Sequence, residues 1–266
     1  MNAKRIRVRR ERPTAVAMAI ALCATMLAVY VLTLGQAAPD VVESMAAAPR
    51  VTREIEFAAL EGWCVRMAER DTQQAARVAA SAWVSRGAAG YVTQVDGGWA
   101  VLGALYDSRR EAERVAKRLA SEEDIPAEAI HLRADPVRIR VTGPETQIDA
   151  IAAADALLRA QTAQLGDIAL QVDRGEIAPD AARALCALAA SETAKAGDAL
   201  KTIPGAGESA LCAGLIRRLD AVNTQLTAIS VDTRASGPTL SGLLRCAQLE
   251  NFVGQVEDYE RLAGKG

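Results

Sequence analysis

Histidine occurs only once in this chain, at His131, and no two of its five cysteines are spaced as a CxxC pair. A structural zinc site draws its ligands from clustered Cys and His, and a redox motif needs the paired thiols. No metal and no other cofactor is therefore expected. Acid-base or nucleophilic catalysis needs a nucleophile with its base, or two carboxylates facing across a cleft. One histidine and scattered carboxylates provide neither, so no enzyme is expected. The formal charge is −2, without the basic excess that marks a nucleic-acid partner. Of the cysteines, Cys186, Cys212 and Cys246 sit in Ala/Leu-rich runs. They read as small buried thiols, or as a disulfide between two helices.

The charge that is present is unevenly placed. Lys4, Arg5, Arg7, Arg9, Arg10 and Arg12 are set against Glu11 alone, and residues 14–34 then carry no charge at all. About 20 helical residues cross a hydrocarbon core of roughly 30 Å. The reading is a basic cytoplasmic tip over 1–13, a transmembrane helix over 14–36 and a linker over 37–56. By the positive-inside rule the amino terminus stays in the cytoplasm. The chain would then be a single-pass protein of the cell membrane, with its bulk outside the cytoplasm. The alternative is a signal peptide cleaved near Gln36-Ala37-Ala38. Either way the remainder is exported.

Six of the nine aromatics fall between Phe57 and Tyr106, which points to strands and a packed core there. Residues 62–68 alternate, with Trp63, Val65 and Met67 on one face. Thr72 opens a helix whose Ala76, Ala79, Ala80 and Trp83 share a side and whose end is capped by Gly87. Residues 91–95 form a strand, Asp96-Gly97-Gly98 a hairpin turn, and residues 99–105 the partner strand. Ser108 caps a further helix, with Glu111 three residues on as in a capping box. After Pro126, residues 129–134 give a last strand. The order is βαββαβ, a small ferredoxin-like unit over 57–141 with two helices on one sheet face and the other face open.

The stretch from Gly62 to Leu119 resembles a SPOR (sporulation-related repeat) domain. Trp99-Ala100-Val101-Leu102-Gly103-Ala104-Leu105-Tyr106, followed by Asp107-Ser108-Arg109-Arg110-Glu111-Ala112, is similar to the second half-motif of that family. Trp63 and Val65 fit the first half-motif. Arg66 stands where the family carries a glutamine associated with glycan contact. The resemblance implies binding of peptidoglycan glycan strands that lack stem peptides, at division or sporulation septa. Arg66 and Leu102, together with Gln94 on the neighbouring strand, are the candidate glycan contacts. Alternation places Cys64, Arg66 and Ala68, and likewise Ala100, Leu102 and Ala104, on the open face. A cation such as Arg66 suits the carboxyl groups of muramic acid.

Breakers divide residues 142–266 into four helical runs: Pro144, Asp173-Arg174-Gly175, Pro179, Ile203-Pro204-Gly205 and Pro238. Ile151, Leu158, Leu165 and Val172 recur at seven-residue steps, and residues 211–229 carry a second apolar seam. A separate all-α bundle is expected, offering a partner or a second copy a surface to dock on. The expected fold is thus α+β: a spanning helix, a SPOR-like domain, then a bundle. The expected function is a membrane-anchored, glycan-binding protein of the cell envelope. The alternative is a membrane-bound scaffold in which a degenerate SPOR-like module makes only protein contacts.

Overall fold

Strand alternation and helical period between Arg50 and Leu262 resolve into six strands and six helices in the computed structural model, which describes residues 49–264 except 96 and 236. In chain order they are β1 (Arg50–Phe57), β2 (Leu60–Arg70), α1 (Gln73–Val84), β3 (Tyr91–Val95), β4 (Gly98–Tyr106) and α2 (Arg109–Glu122). There follow β5 (Glu128–Ala134), β6 (Val137–Pro144), α3 (Glu145–Asp173), α4 (Pro179–Lys201), α5 (Ala210–Val231) and α6 (Gly237–Leu262).

Local chemistry fixes the ends of the first two helices. Thr72 Oγ1 accepts from the Ala75 amide at 3.2 Å, and Ser108 Oγ from the Glu111 amide at 3.3 Å. Each hydroxyl satisfies an amide that the first turn leaves unpaired. The turn after α1 reverses at Gly87, whose φ of +92° is open to glycine at little cost. The strands β3-β4-β2-β5 form one antiparallel sheet in that order. One face carries α1 and α2: Val65 and Met67 pack with Ala112 and Ala116, while Val101 packs with Ala76 and Ala80.

The opposite face is not open. α6 lies across it, and its Leu249 is fully buried in a cluster with Cys64, Ala89, Ala100 and Leu102. Phe252 of α6 reaches Gly62 on β2. The same helix gives Leu240, Leu244 and Tyr259 to the bundle core, where the seam of Ile151, Leu158, Leu165 and Val172 is buried. A helix buried on all sides shows no single apolar stripe. α6 is that case, and it belongs to sheet and bundle together.

A second small sheet, absent from the sequence reading, pairs β1 with β6 antiparallel from Arg50↔Pro144 to Phe57↔Val137. Thr52 and Thr142 share a hydrogen bond of 2.8 Å across it, and Arg138 holds Glu56 at 3.0 Å. Ile55, Phe57 and Val137 join the bundle core. Residues 50–56, expected as linker, are therefore strand. The expected boundary at 141/142 runs through β6, and Pro49–Gly266 is one compact unit.

The expected fold class needs correction on these grounds. A small open-faced domain followed by a separate bundle is replaced by one body in which the sheet is packed on both faces. Among the described residues, no helix is long and apolar enough to cross a membrane. The span expected over 14–36 lies outside the described residues.

Candidate functional site

The three candidate contacts do not converge. Leu102 is fully buried beneath α6 in the cluster of Leu249, so it offers no surface to a ligand. Gln94 is exposed, but it pairs with Trp99, whose ring packs on the α1 side of the sheet. Paired residues of an antiparallel ladder share a face, so Gln94 and Leu102 lie on opposite faces. Arg66 stands on β2 between Leu102 and Glu128 in register, and its guanidinium binds Glu69 at 2.8 Å and Glu128 at 2.5 Å.

The alternation assumed around Arg66 is broken by register shifts between Cys64 and Arg66 and between Arg66 and Ala68. An extra residue in one strand flips the side chains that follow it. Ala68, expected on the open face, consequently packs against α1. Trp63 does lie on the helix side, half-buried against the cluster of Val65 and Met67, with its ring stacked on His131 at 4.3 Å and the Arg109 guanidinium 5.5 Å from its centroid.

The concave surface lies on the helix side instead. Two adjoining cavities share Met67 and Trp83 as common walls. The first, about 460 Å³, is lined by Arg66, Glu69, Arg70, Asp124 and Glu128 beyond those walls. Asp124 is the only non-glycine among the described residues with positive φ, at 54°. The second, about 250 Å³, has Val65, Gly103 and Ala104 as its floor and Arg86, Arg118, Arg245 and Tyr106 around it. Arg86 lies over the Trp83 ring at 5.0 Å and pairs with Glu123. Arg245, from α6, binds Asp173 at 2.5 Å and the Gly87 carbonyl at 2.6 Å. The far end of the groove is thus built by the bundle as well as by the α/β unit.

Burial pushes the Tyr106 phenol up, with Arg245 and Arg118 acting against it. It is therefore a neutral donor at physiological pH. Among the described residues, no three of His, Cys, Asp and Glu are grouped as a metal would need. Of the expected contacts only Arg66 lines the groove. Nothing in the sequence pattern singles out Trp83, Tyr106 or Arg118 as site residues. Trp83 reads as a core residue on the apolar side of its helix, and the one sequence signal beside it is the cation three residues on, Arg86.

The groove offers a planar ring and an apolar floor to flat faces, with guanidinium and carboxylate groups for hydroxyls and acids along the rim. No protein-family model, no curated protein and no solved structure matches this chain.

Proposed function

We propose that this protein is a non-catalytic binding protein of the cell envelope that takes peptidoglycan glycan strands in the groove beside Trp83, not on its sheet. The observation that carries this reading is the pair of cavities joined at Met67 and Trp83. Two sites in line suit an extended polymer, and a half-buried indole gives a ring face to stack on. Arg70 at one end and Arg118 at the other supply cations to an acidic glycan, while Arg66, held by Glu69 and Glu128, offers its remaining N–H donors. The basic residues 4–12 and the uncharged residues 14–34 support action at the membrane, on its outer side. Together with the SPOR resemblance, these features support action at division or sporulation septa.

The second reading, a membrane-bound scaffold, is favoured by one specific observation. α6 buries the sheet face through which the resemblance would have the module bind glycan. In that reading the partners are proteins, or a second copy of the chain docked on the bundle.

Co-sedimentation of the full chain with purified sacculi, before and after amidase digestion, separates the two. The glycan reading expects more protein to pellet with digested sacculi, and expects Trp83→Ala to lose that gain while remaining folded. A folded wild-type chain that ignores both preparations leaves only the scaffold.

A further inference from the structure

The Tyr106 cavity holds three guanidinium groups and two carboxylates. Arg86 is neutralised by Glu123 and Arg245 by Asp173. The guanidinium of Arg118, exposed on α2, has no ion pair or hydrogen bond among the described residues. The Tyr106 hydroxyl likewise has no hydrogen-bond partner among them. Glu111 acts on the Tyr106 phenol from a distance but does not line the cavity. One positive charge and one strong donor are therefore left over above an apolar floor of Val65, Gly103 and Ala104.

We propose that this cavity is a carboxylate subsite, in which the Arg118 guanidinium and the Tyr106 hydroxyl receive the acid group of a ligand whose short apolar part rests on that floor. The chemistry is charge-assisted hydrogen bonding from two donors to one carboxylate. Size points the same way. The cavity, about 250 Å³, is smaller than the roughly 300–1,000 Å³ that encloses a whole small-molecule ligand. It holds a side group, while the ligand's main body lies in the larger cavity across Trp83. A lactyl group branching from a sugar chain has these properties. This identification of the ligand class rests on the glycan reading of the groove.

The test is calorimetric titration of the full chain with two oligosaccharides of equal length. One is stem-free glycan released from amidase-treated sacculi. The other is a chitin oligosaccharide, which has the same backbone and lacks the lactyl carboxylate. The stem-free glycan should bind at least tenfold tighter. Arg118→Gln should abolish that preference without changing thermal unfolding, Arg118→Lys should restore part of it, and Tyr106→Phe should reduce it. Equal affinity for the two sugars, or a preference that survives Arg118→Gln, overturns the carboxylate subsite and leaves the groove standing. Binding of neither sugar overturns the groove, and the subsite with it.

Discussion

A Cβ placed on Gly242 of α6 would stand 2.5 Å from the carbonyl oxygen of Val84, the last residue of α1, and 2.9 Å from that of Ala88. Backbone meets backbone there without a side chain between them, which is how α6 lies close to the α/β unit. In an exposed helix, Gly→Ala would stabilise by about 1 kcal/mol. Here the clash has only backbone to push against, so Gly242→Ala should lower stability by about 1–3 kcal/mol, the usual cost of overpacking. Urea unfolding of the full chain measures it. A variant as stable as wild type would mean that this contact is not close.

Leu102 distinguishes a covered sheet from an open one. Buried with Leu249, it should cost about 2–5 kcal/mol when cut to Ala. If Leu102 were a glycan contact on an open face, Leu102→Ala would leave stability nearly unchanged and reduce sacculus binding at equal folded fraction.

Arg66 and Gln94 should part company. Arg66 lines the larger cavity and Gln94 lines neither. Arg66→Ala should weaken sacculus binding by about 1–3 kcal/mol, as expected for loss of a charge-assisted hydrogen bond. Its ion pairs are partly exposed, so stability should change by less than about 1 kcal/mol. Gln94→Ala should change neither. Weaker binding by Gln94→Ala with Arg66→Ala unaffected would place the site elsewhere.

Tyr259 tests the joint between the bundle and the β1–β2 connection. Its hydroxyl donates to Asp155 at 2.6 Å and accepts from Arg159 at 2.7 Å, and Arg159 also donates to the Ala58 and Ala59 carbonyls between β1 and β2. Tyr259→Phe leaves a buried carboxylate short of one donor, which costs about 1–3 kcal/mol. Denaturant midpoints of wild type and variant that coincide would show that the network contributes nothing.

Alkali should destabilise the protein through its buried thiols. Burial holds the thiol of Cys64 up to about 12, and those of Cys186 and Cys246 up to about 11. Free thiols ionise near about 8.5. Between that value and about 11 the unfolded chain has lost protons that the folded chain keeps, so stability falls as pH rises. Below the lower limit the thiols are protonated in both states and contribute no slope. The urea midpoint should drop between pH about 8 and about 10.5, and Cys186→Ala should flatten the drop. A midpoint constant over that range would contradict the assignment.

The sequence by itself determined the local elements of this protein, because their causes are local. Thr72 and Ser108 cap helices from one residue's distance, Gly87 takes a conformation other residues avoid, and the seven-residue recurrence from Ile151 to Val172 selects a buried seam on its own helix. It also placed Trp63, Val65 and Met67 together on the helix side of β2. Tertiary structure decided the rest. β1 is a strand only because β6, some eighty residues later, presents its edge, and a lone strand carries no mark of its partner. The register shift that turned Ala68 away from the expected face is a two-strand property. Most of all, α6 could be recognised as a helix but not as the cover of the sheet. Its apolar residues surround the helix, and which of them meets the bundle and which meets Leu102 depends on packing between segments more than a hundred residues apart. That packing moved the candidate site from the face where alternation alone had set it to the groove on the other side.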